Sequence, residues 1–212
     1  MDDTALDLCL RENGLFQNTW IIFTADHGEM LGDHHMSQKN LFFEGSAHVP
    51  LLIMPPQGRS LPQNISVEAP TDLVDLYPTI LAMAGLSSPV SVSGRNLLEP
   101  VPMDRIFFGN SLNRNFCVME EKVKLVYSAV GDHVLLFDLN TDPMEQHNLA
   151  EDPAWQERKV KLWKLLLEHT AQYTPEALDE KGQFLTYEAP HFPGDVPGRW
   201  FGFHYHDYSV DT

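Results

Sequence analysis

Thr19-Trp20-Ile21-Ile22-Phe23-Thr24 runs directly into Ala25-Asp26-His27-Gly28-Glu29, and this junction decides the fold. The first six residues are β-branched or aromatic and do not alternate with polar ones, the pattern of a strand buried on both faces of a parallel sheet. The polar cluster that ends it lies where open α/β sheets place their ligand crevice, outside the carboxyl end of a central strand. A carboxylate and an imidazole leaving such a strand together can address one metal ion, and Gly28 lets the backbone turn sharply away. Asp26 offers a hard oxygen ligand, while His27 suits zinc or manganese better than calcium, so the pair does not fix the ion. On these residues alone, the metal site stands beside a plainer alternative, an exposed turn after a strand.

Working outward, Leu6, Cys9 and Leu10 recur at helical spacing and Asn13-Gly14 reads as a helix stop. Residues 30–46 read as a polar loop, with an aromatic pair at Phe42-Phe43. Residues 49–54 form a second apolar run, and Pro50 argues for an edge position. Asp75 can cap a helix running to about residue 84, stopped by Gly85, with Leu76, Ile80, Leu81 and Ala84 on its buried face. Four short β-rich runs follow at 106–109, 116–119, 123–127 and 134–138, and with the Gly131-Asp132 turn they predict an antiparallel meander. Residues 153–173 predict an amphipathic helix with Val160, Trp163, Leu166 and Leu167 on its apolar side. The fold class expected is therefore α/β: a remnant of a parallel mixed α/β sheet over 1–100, then over 101–212 a small antiparallel four-stranded sheet packed on a long C-terminal helix. An aromatic tail holding His191, His204 and His206 follows, and packing, a contact to another chain or closure over a substrate would each explain its composition.

The charge balance excludes one class of partner. Among 212 residues, 14 basic against 30 acidic give a formal charge of −16, the wrong field for nucleic acid, whose affinity rests on Lys and Arg contacts to phosphate. A small anionic substrate stays open where a metal or a local lysine reverses the potential. No apolar run approaches the ~20 residues of a membrane span, and Met1-Asp2-Asp3 does not begin a signal peptide. Cys9 and Cys117 sit in unlike contexts, which argues against a disulfide framework and a Cys-rich zinc site.

The block from Thr24 through Asp26-His27-Gly28-Glu29, Asp33-His34-His35 and Lys39 is the most specific feature. With Phe43-Glu44-Gly45-Ser46-Ala47-His48-Val49-Pro50, Val74-Asp75-Leu76-Tyr77-Pro78-Thr79, and the stretch from Leu136 through Asp142-Pro143 and Glu145 to Asn148-Leu149, it resembles the sulfatase family of the alkaline phosphatase superfamily. The resemblance implies that Asp26 and His27 help to bind a divalent cation, usually calcium, with magnesium or manganese as alternatives. It also implies that Lys39 contacts the oxygens of a sulfate group. A cation and a fixed ammonium beside the non-bridging and leaving oxygens suit the charge that develops in such a reaction. His34 and His35 would line the pocket or bind a sulfate oxygen, or instead hydrogen-bond the loop backbone. A similar His pair recurs in phosphonate monoester hydrolases, so it does not separate the two activities. Glu29 reads as a cap of the next turn, with support of a metal ligand as the alternative, and His48 as a structural histidine.

In the family the nucleophile is a formylglycine made from the first residue of Cys/Ser-x-Pro-x-Arg. Cys9 is followed by Leu10-Arg11-Glu12 and Cys117 by Val118-Met119-Glu120, so formylglycine is not expected in this chain. The resemblance thus implies the C-terminal part of a metal-dependent sulfuric-ester hydrolase acting on a small sulfated substrate, inactive alone. The alternatives are a phosphonate or phosphate ester hydrolase of the same superfamily, or a non-catalytic truncated fragment. An apolar face made for absent sheet neighbours predicts self-association or docking of a missing N-terminal portion. An extracytoplasmic location (periplasmic, secreted or lysosomal) also follows from the resemblance.

Overall fold

In the computed structural model, which describes residues 5–36, 38–39, 41–59, 65–88 and 92–188, the chain forms two units. One comprises the described parts of Met1–Asp26 and Val49–Val101, the other those of His27–His48 and Pro102–Thr212. The loop segment 27–48, which the sequence groups with residues 1–100, thus packs with the later half of the chain.

In the first unit, helix α1 (Ala5–Glu12) ends as the sequence predicts. Gly14 takes a left-handed φ of 66°, and the Leu15 N–H closes back onto the Leu10 carbonyl at 2.9 Å. Strands β1 (Ile21–Thr24) and β2 (Leu51–Met54) pair antiparallel, from Ile21 opposite Met54 to Thr24 opposite Leu51. The parallel neighbour expected for β1 is not its partner among the described residues. An unalternated apolar run reports that both faces suit burial; it carries no information on the direction of the neighbour. One face of this ladder in fact presents the cross-strand pair Phe23 and Leu52, exposed by 61% and 54%.

The helix after residue 72 starts earlier than the sequence suggests. A single 3-10 turn (Leu73–Asp75) leads into α3 (Leu76–Met83), and Asp72, not Asp75, is the cap residue. Asp75 is wholly buried and accepts the Asp72 N–H at 2.8 Å and the Arg95 N–H at 2.7 Å. Thr79, one turn on, accepts the Leu97 N–H at 2.9 Å, so two side chains stitch residues 95–97 onto this helix. The buried positions are Pro78, Thr79 and Met83, whereas Ile80 lies half exposed, because the face is set by the 95–97 strap instead of an apolar stripe. Replacing Asp75 with alanine leaves two part-buried N–H donors without their acceptor, and a loss of about 2 kcal/mol is expected in urea unfolding.

The second unit is built on a four-stranded antiparallel meander: β3 (Phe107–Ser111), β4 (Asn115–Glu120), β5 (Val123–Ser128) and β6 (His133–Asp138), in that order. Register places Phe108, Val118, Leu125 and Leu136 on one face. They join the core that includes Leu162 and Leu166 of α4 (Gln156–Tyr173). The core-facing row of α4 is Leu162, Leu166 and Thr170, while Val160, expected on the apolar side, is 66% exposed. Phe184 reaches back to pack against the rings of Phe116 and Tyr127, tilted by 42° and 40°, and edge-on to Trp163 at 71°. The other face of the sheet carries Gly109, Cys117, Lys124 and Phe137, and residues 27–48 lie against it: Phe137 clusters with Met30, Met36, Leu41 and Phe43. A Cβ on Gly109 would come within 2.3 Å of the Phe42 ring, so a larger residue there would force that ring to shift. Among the described residues no helix is long and apolar enough to cross a membrane. His191, His204 and His206 lie outside the described residues.

Candidate active site

Strand β1 stops at Thr24, and the polar cluster Asp26-His27 follows within three residues. Asp26 is exposed and is the last residue of its segment of the first unit; His27, half-buried, opens the second. The His27 Nδ1 lies 2.8 Å from the Gly28 carbonyl. A carbonyl only accepts, so in the neutral ring the proton sits on Nδ1 and the lone pair on Nε2, the nitrogen suited to a cation. Asp26 is its neighbour in sequence, and a carboxylate and an imidazole are side-chain types that can ligate a metal. Among the described residues no group of three or more His, Cys, Asp or Glu is gathered as metal ligands.

Beyond His27 the backbone is held tightly against a short helix, α2 (Glu44–Ala47). The Gly28 N–H donates to the Ser46 carbonyl at 2.8 Å and the Glu29 N–H to the Gly45 carbonyl at 2.9 Å. The Ser46 hydroxyl donates to the Lys39 carbonyl at 2.7 Å. Ser46 thereby joins the residue after His27 to the backbone of Lys39, whose side chain is exposed. The neck of the intervening loop is closed twice at Gln38, whose N–H donates to the Glu29 carboxylate and whose carbonyl accepts the Met30 N–H. Glu29 is thus a loop-closing acceptor.

The two histidines of the loop are unlike. His34 stacks on Phe43, with ring centroids 4.1 Å apart, whereas His35 is exposed. Leu31, His34, His35 and Gln38 all adopt positive φ, between 50° and 72°. Non-glycine residues held in the left-handed region are maintained only where surrounding contacts over-determine them, and they concentrate at functional loops.

Those contacts include one that the sequence reading missed. Lys124 of β5 reaches the loop through its ammonium, which donates to the Phe42 carbonyl at 2.9 Å, to Glu145 Oε1 at 2.9 Å and to the Glu44 carboxylate. Burial alone would lower the Lys124 pKa, but Glu145, Cys117 and Glu44 outweigh it and hold the ammonium charged above its ordinary value. Burial likewise acts to raise Glu44, but Lys124 and His48 reverse the sign and keep it ionised. His48, 2.7 Å from Glu44, is placed by that carboxylate. Burial pushes the neighbouring Cys117 thiol up to about 12, which makes it inert.

Comparison with known proteins agrees with the motif. A Sulfatase family model matches residues 9–86. Bovine (Bos taurus) arylsulfatase K is 36% identical over 162 residues, 68% of this chain and 29% of its own length. The Escherichia coli sulfatase YidJ is 32% identical over 165 residues, 72% of this chain and 32% of its own. The chain belongs to the sulfatase family. Among solved structures, the phosphonate monoester hydrolase of Agrobacterium radiobacter is 31% identical, with a TM-score of 0.64 over 84% of this sulfatase-family chain and 41% of that one. The chain spans about three tenths of the length of the curated sulfatases it matches.

Proposed function

We propose that this chain carries the part of a sulfatase-type active site that contacts the cation and the oxyanion, for hydrolysis of small sulfate esters. The observation that supports it best is the double use of Ser46, which ties the backbone beside His27 to that of Lys39. In this reading the Asp26 carboxylate and His27 Nε2 hold a divalent cation, most readily calcium, with magnesium or manganese as alternatives. The bound cation would draw charge from a sulfate oxygen. Lys39 supplies a fixed ammonium to the same group, stabilising charge as it builds up. His34, already stacked on Phe43, shapes the wall of the site, and His35 is the ring available for a sulfate oxygen. No cysteine here stands in Cys-x-Pro-x-Arg, so the chain alone is expected to bind but not to turn over substrate. The extracytoplasmic location implied by the family resemblance goes with this reading.

Calcium titration followed by amide NMR tests it. Binding in about the millimolar range, the weak end for oxygen-rich sites, is expected from an incomplete ligand set. It should vanish in both Asp26→Ala and His27→Ala. Calcium binding indifferent to both substitutions would remove the reading. The similarity to a phosphonate monoester hydrolase favours a second reading, hydrolysis of phosphonate esters on the same residues. A calcium-loaded chain whose Lys39 signals respond to a phosphonate monoester and not to an aryl sulfate would select it.

A further inference from the structure

Lys124 and Glu145 lie far from the candidate ligands in sequence and are almost fully enclosed, their side chains 4% and 2% exposed. Such a buried ion pair is a poor source of net stability, because apolar residues of similar size would pack as well without the desolvation cost. What it provides is a defined geometry. The Lys124 ammonium binds the Phe42 carbonyl and the Glu44 carboxylate, while Glu145 Oε2 accepts the Glu44 N–H at 2.7 Å. The backbone on both sides of Phe43 is therefore fixed to the sheet at one register. Several further contacts of the loop start from this stretch or from the turn that follows it. Phe43 carries the His34 ring, the Gly45 and Ser46 carbonyls hold residues 28 and 29, and the Ser46 hydroxyl holds Lys39.

We infer that Lys124 and Glu145 are positioning residues, which set the backbone carrying His27, His34 and Lys39 by gripping residues 42–44 against the sheet. That these are site residues rests on the reading given above; the grip itself does not, and its test needs neither metal nor sulfate.

The test is amide hydrogen exchange on the full chain, comparing Lys124→Met and Glu145→Gln with the parent. Methionine keeps the apolar stem and deletes the ammonium; glutamine keeps the shape and deletes the charge. Protection at Gly28 and Glu29 is expected to fall by about tenfold or more beyond whatever Val118 and Leu125 in the sheet lose. Lys124→Arg, which retains the charge, should restore part of it. A site-level signature accompanies this: the His27 Nδ1–H resonance, bonded to the Gly28 carbonyl, should shift in Glu145→Gln. Unchanged protection at Gly28 and Glu29 would overturn the inference, as would an equal loss across the sheet, which would make the pair a general structural support. If Lys124→Met does not fold, Glu145→Gln decides by the same criteria. Failure of the calcium titration, by contrast, would discard the assigned chemistry and leave this result standing.

Discussion

Gly28→Ala is expected to detach the candidate-site loop from α2, whereas Gly45→Ala, across the same contact, leaves it in place. A Cβ on Gly28 would meet the Gly45 carbonyl oxygen at 2.1 Å, and the two hydrogen bonds from residues 28 and 29 hold the backbones at that separation. The obstacle is main chain, so no rotamer change relieves it. A Cβ on Gly45 meets nothing closer than the Met30 sulfur at 3.5 Å, an ordinary contact, and alanine favours the helical backbone there. Gly28→Ala should cost on the order of 3 kcal/mol, in the range of overpacked or clashing sites, and, on the proposed reading of the site, abolish calcium binding. Gly45→Ala should stay within about 1 kcal/mol of the parent in either direction. Thermal unfolding and the calcium titration read both, and equal effects of the two substitutions would contradict the contact.

Removing the Lys124 ammonium is the second large effect. It leaves Glu44 and the enclosed Glu145 without their shared cation, and breaking a buried pair in this way costs about 3–5 kcal/mol. The double variant Lys124→Met with Glu145→Gln should be less damaging than the sum of the singles, because the second change removes one of the stranded charges. Denaturant unfolding of the four proteins measures the coupling. The pH dependence has a defined sign. Glu44 sits below its ordinary 4.5, so its contribution is complete above that value and is lost as pH falls through the lower folded value. Lys124 sits above its ordinary 10.5, so its contribution is complete below that value and is lost as pH rises through the higher folded one. The stability difference between parent and Lys124→Met should therefore hold level between 4.5 and 10.5 and shrink at both extremes, with His48, Glu145 and Cys117 the other groups facing the cluster.

Local chemistry made much of this legible. The meander follows from period-two patterning with turn residues such as Gly131-Asp132, and α1 from its spacing and its Asn13-Gly14 stop. The loop of Asp26, His27, His34, His35 and Lys39 stands out because charged and imidazole groups crowd the end of an apolar strand. What holds that loop was hidden. Within Val123-Lys124-Leu125-Val126-Tyr127, alternation places Lys124 opposite the core, where a lysine reads as solvent-facing, yet every residue of β5 is buried because the loop covers the second face. Its partners stand 80 and 21 residues away, beyond any local pattern. Residues 44–47 read as loop, because a four-residue helix is too short to show a period. Asp75 and Asp72 are both competent caps three apart, and only the Arg95 strap shows which of them is enclosed.

The Glu44–Glu145 bond spans 101 residues of chain, which places it late in the protein's own biosynthesis. At ribosomal speeds of about 5–20 residues per second, roughly 5–20 s separate the emergence of its two ends. During that interval the segment bearing His27 and Lys39 has no anchor on a sheet not yet made. Its nascent form is open to chaperones and proteases, and the loop can dock only when translation has passed Glu145 in the connector after β6.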